Sequence, residues 1–245
     1  MTLSVPLRVK PGSAYRLLWV LILFALSHPH HLAAQTQAEN EDTCMMEPPV
    51  SAYRSIAGDL KDSQHLQLER DFHAKGTLEI KICAGEVRIL PSQDQRLHLN
   101  ISLQKAPGSD ITTFVRQIES DDHKTIVSLA YPKHLSPSIT LRIPSNTPLQ
   151  SSITLGTGNL AIRGDVIPGD RQIHVGVGHV TLYLRGDEEY SELQTNVGIG
   201  NVHDRRQSGA STHLGMATKQ ALRGKGDGKI TVNAGVGSIE LRPEE

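Results

Sequence analysis

Residues 173–182 read Ile173-His174-Val175-Gly176-Val177-Gly178-His179-Val180-Thr181-Leu182, and the reading of this stretch decides the fold. Apolar and polar residues alternate on both sides of the glycine pair, the period of a strand with one buried face. Val175 and Val180 are an odd step apart, so the inward-facing parity changes across Gly176-Val177-Gly178. A strand does that at a bend or bulge, where glycine accepts backbone angles that other residues resist.

The same pattern recurs. Upstream stands Ile153-Thr154-Leu155-Gly156-Thr157-Gly158-Asn159-Leu160-Ala161-Ile162. Downstream stand Thr195-Asn196-Val197-Gly198-Ile199-Gly200-Asn201-Val202 and Val232-Asn233-Ala234-Gly235-Val236-Gly237-Ser238-Ile239-Glu240-Leu241. A worn copy, Thr212-His213-Leu214-Gly215-Met216-Ala217, lies between these last two, with Ala217 in the place of the second glycine. The first glycines of the five copies are 20, 22, 17 and 20 residues apart. An outlying relative, Ile80-Lys81-Ile82-Cys83-Ala84-Gly85-Glu86-Val87-Arg88-Ile89, puts Cys83 in the place of the first glycine. About 20 residues is too short for a helix pair and suits one coil of a β-solenoid. Stacked copies would bury ladders such as Leu160, Val180, Val202 and Ile239, which no copy can bury alone. The bend glycines are Gly85, Gly156, Gly158, Gly176, Gly178, Gly198, Gly200, Gly235 and Gly237.

Ahead of the repeats the chain is also strand-like. Leu66 and Leu68 alternate with polar residues, as do Leu78, Ile80 and Ile82, and Leu97, Leu99, Ile101 and Leu103. Strands are expected at Thr125–Tyr131 and Ser138–Ile143, each stopped by a proline. Ser109–Ile118 breaks the rhythm. Its apolar residues fall at helical spacing behind Ser109 or Asp110 as N-cap, which predicts one short helix. The fold class expected is therefore all-β: a β-solenoid-like stack of glycine-bend repeats over 151–245, a strand-rich part over 64–150, and one short helix.

The first 34 residues read as an address. Arg8, Lys10 and Arg16 precede the apolar run Leu17–Leu26, and Leu32-Ala33-Ala34 offers small residues for cleavage. This is the pattern of a secretory signal peptide, and the run is short of the roughly 20 residues that span a bilayer. The expectation is export with no membrane anchor left after cleavage, to periplasm, cell surface or medium. Residues 35–63 read as a polar leader containing Pro48-Pro49. In an oxidising compartment Cys44 and Cys83 become candidates for a disulfide.

Composition excludes several classes. The 245 residues are 38% hydrophobic and 21% charged, neither disordered nor membrane-embedded in character. The net charge of −1 argues against nucleic acid, which needs a basic face. Aromatics are only 4%, and the single Trp19 lies in the signal segment. The core must therefore be aliphatic, and a sugar platform made of stacked rings is disfavoured.

The glycine-bend copies, behind a signal peptide and a strand-rich lead-in, resemble the bacterial "putative adhesin" family, also called toast-rack domains, over roughly residues 64–243. The resemblance implies a β-solenoid-like domain in envelope or surface proteins, with adhesion or envelope-stress sensing as its role. It supplies no catalytic motif. Lys219 departs from the pattern, standing where the other copies place an apolar residue after the bend.

Candidate sites are few. Asn159, His179, Asn201 and Ser238 share one repeat position just after the bend and would form a polar ladder if the copies stack. His174 and His213 are also equivalent, but with His203-Asp204 they match no metal-ligand spacing. Arg163-Gly164-Asp165 and Arg185-Gly186-Asp187 carry an integrin-type tripeptide at places where a strand needs a corner. There is no G-x-S-x-G, H-E-x-x-H or phosphate loop, and Asp165, Asp187 and Asp204 sit at different offsets. No cofactor or metal is expected. The function expected is that of an exported, non-enzymatic, adhesin-like or cell-envelope interaction protein with an unidentified envelope or surface partner, able to oligomerise. The alternatives are a periplasmic structural or sensory domain that binds a partner, and a polysaccharide-active β-helix enzyme.

Overall fold

The computed structural model describes residues 60–62, 65–72, 76–103, 111–131, 135–145, 150–164, 169–206 and 211–244. The expected signal peptide, Cys44 and most of the expected leader lie outside them. Twelve strands form one open sheet: β1 (Leu60–Asp62), β2 (His65–Asp71), β3 (Thr77–Ser92), β4 (Arg96–Ser102), β5 (Val115–Ser120), β6 (Lys124–Leu129), β7 (Ser138–Pro144), β8 (Gln150–Arg163), β9 (Arg171–Leu184), β10 (Glu192–Asp204), β11 (Ser211–Arg223) and β12 (Lys229–Pro243). The order across the sheet is β1-β2-β4-β7-β3-β8-β9-β12-β10-β11, with the β5–β6 hairpin joined through β6 to β3.

Each repeat strand is bent at its glycine pair. β8 buries Ser151, Ile153 and Leu155 before the bend, and Leu160 and Ile162 after it. The parity change read from the sequence is therefore present, and both halves of β3, β8, β9, β10 and β12 feed a single hydrophobic cluster. β3 shows what the bend does to the sheet. Its first half, Thr77–Ile82, pairs with β6, whereas its second half, Glu86–Ser92, pairs with β7. On its other side the whole of β3 pairs with β8, aligning Gly85 with Gly158. β3 is thus part of the same sheet, in register with β8.

The register places Gly158, Gly178, Gly237 and Gly200 side by side. At Gly178 φ is +149°, and an added Cβ would lie 1.7 Å from the Gly158 carbonyl oxygen. Only glycine lets backbone lie against backbone along this row. Beneath it Val87, Leu160, Val180, Ile239 and Val202 form one buried ladder across five strands. Each such side chain contributes about 1.5–3 kcal/mol by leaving water.

The strands do not stack in chain order. β12 runs parallel between β9 and β10, and β11 runs antiparallel along the far side of β10. Burial explains the exchange. β12 offers Ile230, Val232, Ala234, Ile239 and Leu241, all buried, and so takes the central place. β11 carries Lys219, Gln220 and Arg223, and none of its described side chains, 216–223, is buried. A lysine-bearing strand suits an edge. Ala217 has φ +55°, the one non-glycine in the left-handed region among the described residues, at the position sequence had placed in the glycine register.

The short helix expected over Ser109–Ile118 is replaced by two elements. Ile111–Phe114 is a single 3-10 turn, and Val115–Ser120 is strand β5. A tight turn wins over the helical spacing. Asp121 Oδ1 accepts from the amides of His123 and Lys124, both at 2.7 Å, and closes the hairpin that pairs β5 with β6. The other strands expected before residue 150 form, as β2, β3, β4, β6 and β7.

Two corners fix the ends of the repeat strands. Arg171 is buried and donates from Nη1 to the Gly164 carbonyl at 2.9 Å and from Nη2 to that of Glu189 at 3.4 Å. Tyr190, also buried, donates its hydroxyl to Asp187 and receives Arg206 Nη1 at 2.8 Å.

Candidate functional site

Two surfaces follow from the bend. The first is a crest. The residue between the paired glycines faces outward in every copy, and the register lines these residues up as Thr157, Val177, Val236, Ile199 and Met216. Val177 is 50% exposed, Val236 44%, Ile199 57% and Met216 84%, the four large hydrophobic side chains most exposed among the described residues. At ~4.8 Å per strand the apolar row is about 14 Å long. It ends on β11, the open edge. Rows of glycine on either side leave it standing proud of the backbone.

The second surface is the outer face of the sheet beyond the bend, where an open cleft of about 730 Å³ crosses several strands. Side chains two residues apart point the same way, so each strand contributes a column. Arg163 of β8, Tyr183 of β9 and Arg242 of β12 are direct neighbours in one row. Ala161, Thr181 and Glu240 form the next row, nearer the crest. Thr181 is 8% and Glu240 5% exposed although both face outward, because longer side chains overhang them. Arg88 of β3 closes one end and Arg205, just after β10, lines the other.

The charges in this cleft are interleaved. Glu240 forms ion pairs with Arg205, whose Nε lies 2.8 Å away, and with Arg242, whose Nη2 lies 3.0 Å away. Burial alone would raise its pKa. The hydrogen bond from Arg242 and the charges of Arg242, Arg205 and His179 outweigh that and hold the carboxyl below its ordinary value. Arg88 Nη2 meets Glu86 at 2.6 Å, and Arg163 Nε donates to Glu244 at 2.5 Å. Four arginines and two glutamates line the cleft, with Glu240 beneath, so it carries an excess of positive charge in a chain whose net charge is −1.

Bordering the cleft on the crest side runs the row Asn159, His179, Ser238 and Asn201, which the register aligns in that order. His179 Nδ1 lies 2.5 Å from Ser238 Oγ, and its Nε2 lies 3.4 Å from Glu240 Oε2. Asn201 bonds His203 at 2.7 Å. His174 and His213 are not equivalent in space, because β11 is reversed: His174 aligns with Asn233, and His213 with Val202. Burial holds His174 below the usual histidine pKa. The two Arg-Gly-Asp tripeptides mark strand ends. Arg185 Nε contacts Glu189 at 3.2 Å, and Asp187 accepts the Tyr190 hydroxyl at 2.7 Å. Asp165 lies outside the described residues. Cys83, on β3 beside the crest, is disulfide-bonded; Cys44, its expected partner, also lies outside.

Sequence reasoning missed the crest and the cleft. The signal for the crest was visible, since Val177, Ile199, Met216 and Val236 all occupy the middle of the bend. The cleft needed the strand order, which puts Tyr183 between Arg163 and Arg242.

No protein-family model matches the chain, and comparison with curated proteins finds no match. Several solved structures are similar. A "putative cell adhesion protein" from Clostridium sporogenes is 13% identical, with 74% of this chain and 100% of that one covered and a TM-score of 0.48. A "putative adhesin" from Bacteroides fragilis is 12% identical, with 75% and 98% covered and a TM-score of 0.23. A "putative lipid binding protein" from Parabacteroides distasonis is 10% identical, with 74% and 63% covered and a TM-score of 0.27.

Proposed function

We propose that the chain is an exported, non-enzymatic, adhesin-like module of the bacterial cell envelope, a β-solenoid-like stack of glycine-bend repeats whose crest docks an envelope or surface partner. The crest carries this reading. Four large apolar side chains held in water on a rigid ladder cost the fold nothing to lose and offer a partner a dry, regular contact. An enzymatic reading has a specific weakness at Ser238, His179 and Glu240, the grouping nearest to a nucleophile triad. Glu240 is already engaged by two arginines. Ser238 sits mid-strand with β9 and β10 paired on its two sides, where backbone N–H groups serve the ladders rather than an oxyanion.

Protease shaving of intact and lysed cells, followed by detection of the mature chain, tests the location. Loss from intact cells supports a surface adhesin, and loss only after lysis moves the module to the periplasm and favours a structural or sensory role there. Crosslinking of the wild-type chain and of an Ile199→Glu, Met216→Glu double variant in the same cells tests the crest. The wild-type adduct is expected to vanish in the variant while the circular dichroism spectrum is kept; an unchanged adduct would remove the crest from the reading.

A further inference from the structure

We infer that the arginine-lined cleft beyond the bend is a binding site for an extended anionic polysaccharide, a glycan bearing uronate or sulfate groups. The inference rests on the reading of the chain as an interaction module but uses a different face from the crest.

The cleft has the dimensions of a chain rather than of a small molecule. From Arg88 on β3 to the β10 column that leads to Arg205 is four strand spacings, about 19 Å. Along that line the side chains alternate in kind. Arg88, Arg163, Arg242 and Arg205 supply cations, Glu86 and Glu244 supply acceptors, and Tyr183 supplies the one aromatic ring, between Arg163 and Arg242. Such a surface matches a ligand that carries both anionic groups and hydroxyl donors at regular intervals, with an apolar ring face for Tyr183. The side chains of Arg88 and Arg205 are 58% and 57% exposed, and each meets a single carboxylate oxygen. A guanidinium has five N–H donors in a planar fork, more than one carboxylate oxygen can accept from, so each exposed end of the cleft can offer donors to an anionic ligand. An acidic peptide fits less well. The cleft floor is the face of a sheet with its backbone groups already paired, so it offers a peptide no strand to extend, and Glu86 and Glu244 would find few hydroxyls to accept from.

The recognition would be read through the polar row that borders the cleft. Asn159, His179 and Ser238 lie one row further toward the crest than the small floor residues Ala161 and Thr181, within reach of the hydroxyls of a saccharide lying across the strands.

The test is titration calorimetry of the mature full-length chain with four probes: a hexagalacturonate, a sulfated hexasaccharide, a neutral galactose hexasaccharide and hexaglutamate. Binding of one or both charged saccharides, weakened by added salt and absent for the neutral sugar and the peptide, is the expected result. Preference for the first or the second assigns uronate or sulfate. Arg88→Gln and Arg205→Gln should each weaken binding about tenfold, the loss of one charge-assisted contact. Ala161→Phe, which fills the floor beside Arg88 without removing a charge, should abolish it. Arg88→Gln and Ala161→Phe should leave the thermal midpoint unchanged, and Arg205→Gln, which loses an ion pair to Glu240, should keep the far-ultraviolet circular dichroism spectrum. Failure of both charged saccharides to bind, equal binding of the neutral sugar or of hexaglutamate, or full binding by the Ala161→Phe variant would overturn the inference. Loss of crest-dependent crosslinking with saccharide binding retained would reject the crest reading alone.

Discussion

Gly178→Ala is the substitution that bears most directly on how the sheet is built. The added methyl would sit 1.7 Å from the carbonyl oxygen of Gly158, where contacts under 3.0 Å force something to move. The obstacle is backbone on a strand paired on both sides, so β8 and β9 would have to separate locally by at least 1.3 Å. That is more than a quarter of the ~4.8 Å strand spacing, enough to break the adjoining ladder bonds. The backbone angle adds to the cost, because φ +149° lies where side-chain-bearing residues are strained by about 1–3 kcal/mol. With about two ladder bonds lost at ~1 kcal/mol each, the expected loss is about 3–5 kcal/mol. A domain of ordinary stability holds about 5–15 kcal/mol, so the variant should be severely weakened. The assay is urea unfolding followed by far-ultraviolet circular dichroism, with two companions. Gly176→Ala meets its neighbour at 2.5 Å without a left-handed φ and should lose less. Ala217→Gly relieves φ +55° on an exposed edge and should gain about 0.5 kcal/mol, strain relief set against greater freedom of the unfolded chain. A loss below about 1 kcal/mol for Gly178→Ala, or one equal to that of Gly176→Ala, would refute the backbone-on-backbone row.

Other residues give further tests. Arg171→Met would leave the Gly164 and Glu189 carbonyls without their buried donor and should cost about 3 kcal/mol, read as a fall in Tm of roughly 6–12 °C; a fall under 2 °C would show that the corner holds itself. His174, whose pKa burial lowers, takes up its proton more readily in the unfolded chain. Its contribution should be intact above the ordinary pKa of 6.5 and decline as pH falls below it, by at most ~1.4 kcal/mol per pH unit. Urea midpoints at neutral and mildly acidic pH should therefore differ more for wild type than for His174→Gln, and parallel behaviour would exclude this histidine. Peptide mapping without reductant should recover Cys44 linked to Cys83, and free thiols at both positions would contradict the bonded state of Cys83.

What was legible in the sequence is what local periodicity encodes. The alternation of Ile153 and Leu155 with polar neighbours, and its change of phase at Leu160, required a bent strand, and those residues are buried as that reading demands. The ladder members Leu160, Val180, Val202 and Ile239 were all visible. Their order was not, since a ladder of equivalent aliphatic residues is equally satisfied by any sequence of strands. The order is settled by differences among the copies, with the apolar β12 at the centre and Lys219 on β11 at the edge. Ser109–Ile118 went astray for a related reason: its helical spacing is real, but the turn bonds of Asp121 and pairing with β6 are made elsewhere in the chain. The polar row Asn159, His179, Ser238 and Asn201 was read as a set and is aligned as one, whereas the Arg163–Tyr183–Arg242 row joins residues that share no motif.

The crest and the cleft have one origin. A strand that changes parity at a glycine pair places the residue between the glycines outside the core, and it also presents the second half of the strand with a new outward face. Neither surface is needed for burial, so both can change at little cost to the fold. Met216, 84% exposed on the edge strand, should accept serine within about 0.5 kcal/mol, although it occupies the same repeat position as Val177 and Val236. Ile239, buried two residues beyond the bend glycine, should lose about 2–5 kcal/mol as alanine. A measured difference of that size between neighbouring repeat positions, read by urea midpoint, would show that folding is carried by the inward ladder and does not depend on the outward residues. Comparable losses at the two positions would mean that the crest is itself part of the core of some larger assembly.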